Sequence, residues 1–328
     1  MSLYDISKLS TTQQQQLEES GLLKSFPTSL LSVGNDPKTV KGEKYGYLTG
    51  IMYLAPHMLS GHNLCPLADL ARCHVPCLNT AGRGTMTSVQ VARLRKTLFF
   101  QQYRAKFFLL LYKDIKKLEK KAQKLALHPV VRLNGTSDIQ LEKTGNTGHL
   151  FRAMIKSFPL VQFYDYTKIA SRLLDRDYHS LENYDLTLSV SNTPEYLGYL
   201  AKTFKLDSAY PKIGWRVVGA PLNLYDTIEA LPCRTAVVYD KDRWTIDTED
   251  LPEWRQDLTI HLGPGFKMLN DGNLSDLRFL EPKKSISCLA AKGGARQPIW
   301  QSGTISGLTI DIAKEFQLLR PDRMLGGL

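Results

Sequence analysis

Short apolar runs recur along the chain, each closed by a polar loop, and stretches with helical spacing separate most of them. The first is YLTGIMYLAP (47–56), rich in β-branched and aromatic residues and ended by Pro56. VVRLNG (130–135), VQFYDYT (161–167), DLTLSVS (185–191), GWRVVGA (214–220) and TAVVYD (235–240) follow it. Residues 87–126 place Leu94, Leu98, Phe107, Leu111, Ile115 and Leu118 on an approximate helical stripe, and 149–158, 168–176 and 195–204 also have helical spacing. Strands alternating with helices pair in parallel and carry the helices outside the sheet. Polar segments follow the strand ends at Cys65–Cys77, Asn134–Asp138, Asp165–Lys168, Ser189–Asn192, Pro221–Asn223 and Asp240–Arg243, the edge at which barrel folds hold their chemistry. The pattern therefore predicts an α/β fold, a six-stranded parallel, partial-barrel-like (βα)6 core over residues 46–245. Residues 1–45 read as a peripheral segment with a short helix at 13–19. Residues 246–328 read as a small β-rich extension, with short strands near 244–247, 257–263, 277–282 and 285–294 and a closing helix at 310–319.

Composition supports a globular chain: 43% of its 328 residues are hydrophobic, enough for a substantial core. No apolar run is long enough to span a bilayer, because Gln101, Gln102, Arg104 and Lys106 break the longest, Leu98–Tyr112. The start of the chain, MSLYDISKLSTTQQQQ, lacks a secretory apolar segment, so the expected setting is cytoplasmic, with no membrane partner and with reduced thiols. Net charge changes the picture more. The excess is +10, and Arg93, Arg95, Lys96, Arg104, Lys106, Lys113, Lys116, Lys117, Lys120, Lys121 and Lys124 fall in one predicted helical stretch. A basic helix over 93–124 is either a nucleic-acid surface or the solvated face of an amphipathic helix.

Three of the five cysteines lie within thirteen residues, as Cys65, Cys73 and Cys77 in a C-x7-C-x3-C array flanked by His62 and His74. Clustered thiols in a chain otherwise poor in cysteine point to a metal rather than to disulfides. Thiolates suit an iron–sulfur cluster or zinc. Zinc would need a fourth ligand from His62, His74, Cys233 or Cys288, and three ordinary buried thiols are the remaining alternative. Gly82-Arg83-Gly84 follows, with Arg83 either facing an anionic cluster or substrate phosphate, or sitting in a tight turn.

A three-cysteine loop after the first strand of a six-unit βα chain resembles the core of the radical S-adenosylmethionine enzymes, over about residues 46–245. Their usual spacing is C-x3-C-x2-C. The resemblance implies a [4Fe-4S] cluster on Cys65, Cys73 and Cys77 with one iron open to S-adenosylmethionine, an unknown small-molecule or nucleotide substrate, and an electron donor. It also places Asn134, Ser137 and Asp138 where that superfamily binds the amino acid end of the cofactor; the local alternative is an Asn-Gly turn followed by a helix cap. Word for word, YLTGIMYLAP, CLNTAGRG, VVRLNGTSD, FYDYTK and DLRFLEP resemble the gene product 88 family of tailed-phage proteins. That resemblance implies expression in a host bacterial cytoplasm and brings no established activity.

Other candidates are less specific. Ser191 and Asn192 are ribose contacts or a helix N-cap, and Gly214 and Gly219 would let a flat base approach. Asp165, Tyr166 and Lys168 are acid–base groups or a salt-bridged strand end, and Arg132 is a substrate or anion contact. Lys292, Gly293, Gly294 and Arg296 are anion donors or a basic loop. The leading expectation is a radical S-adenosylmethionine-like iron–sulfur enzyme. A zinc-stabilised, non-catalytic nucleic-acid-binding protein and an iron–sulfur electron-transfer or sensor protein are the alternatives.

Overall fold

A computed structural model describes residues 2–34, 37–74, 77–143, 147–191 and 193–205, together with 233, 235–239, 268–271, 277–280, 285–290 and 309–310. The chain divides into two compact units. The first comprises Met1–Pro66, Cys77–Leu186 and Ser275–Leu277, and the second Leu67–Pro76, Thr187–Leu274 and Arg278–Leu328.

In the first unit, β1 (Leu31–Val33), β2 (Tyr47–Met52), β3 (His128–Arg132), β4 (Gln162–Thr167) and the start of β5 (Tyr184–Ser189) are neighbours in chain order. β1 runs antiparallel to β2, with Leu31 opposite Met52. β2–β3 and β3–β4 are parallel, pairing Thr49 with Val130 and Val131 with Phe163. The sheet is thus five-stranded and mostly parallel. Helices α1 (Thr11–Glu19), α2 (Pro37–Lys41), α3 (Thr87–Gln102), α4 (Arg104–Lys124), α5 (Gly148–Lys156) and α6 (Arg176–His179) accompany it. Ser10 and Gln13 form a reciprocal capping box, which starts α1 at Thr11 rather than at 13.

The predicted single helix over 87–126 is two helices, interrupted at Tyr103, whose backbone leaves the helical region (φ −133°, ψ 50°). The stripes show why. At about 100° per residue, Val91, Leu94 and Leu98 point one way and Phe107, Leu111, Ile115 and Leu118 the opposite way, so one straight helix would bury only one set. The break lets both sets enter the same core. Tyr103 is held there by Tyr4 and Phe26 rings at 5.9 and 4.9 Å, and its hydroxyl donates to the Leu3 carbonyl.

Residues before 45, read from sequence as peripheral, supply Tyr4, Leu9, Leu17, Leu23, Leu30 and Leu31 to that core and β1 to the sheet. The helix expected at 168–176 is a 3-10 turn at Ala170–Leu174 followed by α6.

In the second unit, the end of β5 pairs in parallel with β6 (Thr235–Tyr239) through Leu188 and Thr235. β6 pairs in parallel with β8 (Ser285–Ala290), and β8 with β7 (Met268–Asp271). β9 (Thr309–Ile310) pairs in parallel with β6, at the point where a closing helix was expected to begin. The strand predicted at 277–282 is a 3-10 turn at Arg278–Leu280. α7 (Pro194–Phe204) is capped by Thr193, whose hydroxyl accepts from Tyr196 N at 3.2 Å and donates to Leu70 O at 2.9 Å. The cap is therefore Thr193, not Ser191 or Asn192. The strands predicted at 214–220, 244–247 and 257–263 lie outside the described residues, as do Asn192, Lys292 and Arg296. Among the described residues no helix is long and apolar enough to cross a membrane.

Candidate functional site

The loop leaving β3 is pinned to the end of β2. Gly135 N donates to Met52 O at 2.9 Å, Thr136 Oγ1 to Leu54 O at 2.6 Å, and Asp138 N to Leu64 O at 2.9 Å. A Cβ at Gly135 would lie 2.7 Å from the Met52 carbonyl oxygen and 2.6 Å from the Tyr53 ring, so this crossing admits only glycine without displacement.

Asn134 is saturated by this arrangement. Its amide nitrogen donates to Ile139 O and Asp165 Oδ2, while its amide oxygen accepts from the Ser137 hydroxyl and Ile139 N. Asp165 also accepts from Asn134 N at 2.6 Å and from the Tyr184 hydroxyl at 2.7 Å. Burial pushes the Asp165 carboxyl up to about 6, against the opposing pull of Tyr184, Arg172 and Asn134.

Arg172, with no exposed surface, joins the rest. It donates to Glu142 Oε1 at 2.7 Å, Glu142 Oε2 at 3.0 Å, the Tyr184 hydroxyl at 3.1 Å and Asp138 Oδ1 at 3.4 Å. Asp138 further accepts from the Thr167 hydroxyl and Lys168 N. Burial raises its carboxyl and also raises the Tyr184 phenol, with Arg172 opposing both.

Thus Asn134, Ser137, Asp138 and Asp165, candidates for cofactor and substrate contact, are brought together as a buried network. Tyr166 and Lys168 do not join Asp165. Adjacent strand residues face opposite ways, and Tyr166 instead lies under the Arg132 guanidinium at 4.6 Å from its ring centre. Lys168 donates its backbone N–H to Asp138, and its charge also acts on that carboxyl. Arg83 is exposed on a 3-10 turn, Gly82–Thr85, and Ser191 is buried. Glu142, Thr167, Arg172 and Tyr184, which complete the network, carry no sequence spacing that would have singled them out. A cavity of about 290 Å³ lies nearby, lined by Asn63, Leu64, Pro66, Ile139, Gln140 and Lys143, and none of the charged network residues opens into it.

The three cysteines are half-buried. Cys65 Sγ accepts from His57 N at 3.3 Å and lies 4.0 Å from Thr136 O, seated against the β3 loop. Cys77 Sγ accepts from Asn79 N at 3.5 Å. In the second unit, Cys73 N donates to Ala68 O at 3.0 Å, and His74 Nδ1 lies 3.4 Å from Asp69. Among the described residues no three His, Cys, Asp or Glu side chains converge as a metal-holding group. Cys65 and Cys77 belong to the first unit and Cys73 to the second.

The basic residues divide sharply. Arg93 donates to Asn79, Arg95 to Ser25 O at 2.8 Å, and Lys96 to Leu30 O at 2.9 Å. Burial lowers Lys96 to about 8. Arg104 and Lys106 lie over the Phe100 and Phe26 rings, at 4.5 and 4.6 Å. Those five hold the fold together. Lys113, Lys116, Lys117, Lys120, Lys121 and Lys124 instead share the exposed face of α4, opposite Phe107, Phe108, Leu111, Ile115, Leu118 and Ala122 in the core. No ion pair is present for any of the six among the described residues. The acids on this helix are Glu119, half-exposed, and Asp114, which is buried and accepts from Leu30 N at 2.6 Å.

The fold and these sites define an α/β protein with a closed, charge-rich strand edge and an open lysine face. The chain belongs to the gene product 88 family of phage proteins: the family model, described as Gene product 88, matches residues 29–299. No curated protein and no solved structure matches it.

Proposed function

We propose that this phage protein binds nucleic acid, through the exposed lysine face of α4. One observation carries the reading. Six lysines share that face at a cost in stability: 113/117, 116/120, 117/121 and 120/124 are like-charge pairs four residues apart. Such pairs are unfavourable by about 0.2–0.5 kcal/mol each, or about 1–2 kcal/mol for the four at low salt. The helix dipole favours Lys121 and Lys124 in the last turn, but it does not reach Lys113, Lys116 or Lys117. A polyanion would turn that repulsion into binding energy. The expected place of action is the host bacterial cytoplasm.

The test is fluorescence anisotropy of labelled duplex and single-stranded oligonucleotides with the full chain at rising salt, beside the variant K113Q/K117Q/K120Q/K124Q. Binding of either nucleic acid that weakens with salt and is lost in the variant supports the proposal. No binding at low salt, or unchanged binding by a variant with native circular dichroism, refutes it.

A second reading, a metal-holding loop, is favoured by the position of Cys65, at the C-terminal end of β2 and against the Asn134 loop. The chain-order arrangement of β2, β3, β4 and β5 supports the finer (βα)6 partial-barrel reading in the same way. The radical S-adenosylmethionine, electron-transfer and zinc readings all depend on metal being present first. Anaerobic purification with iron, sulfide and zinc analysis of the native chain and of Cys73→Ala decides among them. A metal-free native chain would remove all three.

A further inference from the structure

We infer that the partner of the α4 face is the phosphate backbone of a nucleic-acid duplex, bound without regard to base sequence; this rests on the nucleic-acid reading above. Three features of the face select duplex over single strand.

The first is rigidity and length. Lys113 to Lys124 span eleven helical steps, about 16 Å at 1.5 Å per residue. The opposite side of α4 is fixed in the core by Phe107, Leu111, Ile115 and Leu118, none more than 3% exposed. A straight, immobile row of that length spans about five base pairs along a duplex axis, at about 3.4 Å per pair, and both strands present phosphates within that length. A flexible single strand offers no such fixed row.

The second is the lack of a stacking platform. Proteins that hold single strands interleave aromatic rings with their basic groups so that bases stack. Here Phe99, Phe100, Phe107 and Phe108 are all in the core. Tyr103 is tied to Leu3, and the Tyr112 ring packs against Phe158 at 4.9 Å. The face offers charge and little else.

The third is the choice of cation. All six groups are lysines, point charges without the planar fork that reads guanine edges. Apart from lysine, the lower half of the face carries Gln123 and half-exposed Glu119, too few groups for a base code. An anionic lipid surface is disfavoured because most apolar residues of α4 are buried in the core, and its large exposed ones, Leu109 and Tyr112, precede the lysine row.

The experiment is a salt titration of the full chain against a duplex, its separated single strand, a second duplex of unrelated sequence, and phosphatidylserine vesicles. With up to six phosphates neutralised, log K falls against log salt with a slope of about −5 on duplex and about −4 on single strand, a preference for duplex of about tenfold near 0.1 M salt. The two duplexes are expected to bind alike. K113Q/K117Q/K120Q/K124Q, leaving two lysines, is expected to bring the duplex slope to about −2. Single-strand binding equal to or tighter than duplex, a marked preference for one duplex sequence, or tighter binding to vesicles overturns the inference while leaving a basic binding face in place. Failure to bind either nucleic acid overturns the underlying reading as well.

Discussion

Replacing Arg172 by Met tests whether the buried strand-end network is what holds the first unit together. The substitution keeps most of the side-chain volume but removes four hydrogen bonds, two of them to Glu142, which has no exposed surface, one to Asp138 and one to the Tyr184 hydroxyl. Glu142 and Asp138 would then be buried without their cation. Breaking a buried pair by deleting one partner costs about 3–5 kcal/mol, because the remaining charge is stranded away from water. A unit of this size loses about 2–4 °C of melting midpoint per kcal/mol, so the expected shift is about 6–20 °C. Far-UV circular dichroism against temperature and urea measures it. The double variant Glu142→Gln, Arg172→Met removes one stranded carboxylate and should recover about 1–3 kcal/mol relative to additivity. A loss below about 1 kcal/mol, or strict additivity in the double variant, would put Arg172 among exposed ion pairs and refute the account.

Asp165 makes a prediction about pH. Its carboxyl titrates at about 6 in the folded chain against 3.8 unfolded, so between those values the folded state holds the proton more tightly. This group's contribution to stability therefore falls as pH rises from 4 to 6 and is flat above, by about 3 kcal/mol in all. Asp165→Asn should flatten that part of the urea-midpoint profile, and an unchanged slope would contradict the assignment. Gly135→Ala places a methyl 2.7 Å from the Met52 carbonyl oxygen and should cost about 1–3 kcal/mol; a midpoint equal to the native chain's would show that the crossing yields. K113Q/K117Q/K120Q/K124Q relieves like-charge pairs, so its melting midpoint at low salt should match or exceed that of the native chain. A lowered midpoint would show the lysines to be structural.

The strands were legible because each is an apolar run ended by a polar loop: 47–52, 128–132, 162–167, 184–189 and 235–239 all fall where the pattern put them, within four residues at either end. The break at Tyr103 was missed, because residues 87–126 were read as one stripe although Leu94–Leu98 and Phe107–Leu118 differ in phase. β1 was not legible, since three residues in a loop-like setting carry no periodicity. The network was half legible. Asn134, Asp138 and Asp165 stand at strand ends, where the pattern directs attention. Their partners Glu142, Arg172 and Tyr184 come from later turns and strands, and only the fold brings them within 3.4 Å. Strand parity alone separates Asp165 from Tyr166, because neighbours in a strand cannot share a face.

Satisfied groups and dissatisfied ones point in opposite directions on this molecule. The Asn134 amide has two N–H donors and two acceptor positions, and all four are filled by the protein itself. A ligand reaching it would have to break bonds that fix the β3 loop, and the same holds for both oxygens of Asp165 and for the Arg172 fork. Residues used this way stabilise the fold. The α4 face is the reverse case. Five of the eleven basic residues between Arg93 and Lys124 are anchored to carbonyls, amides or rings, and the six on α4 repel one another along an exposed face. Repulsion left standing on a folded chain is what the proposed polyanion would relieve, and the phosphates of a duplex carry the opposite charge.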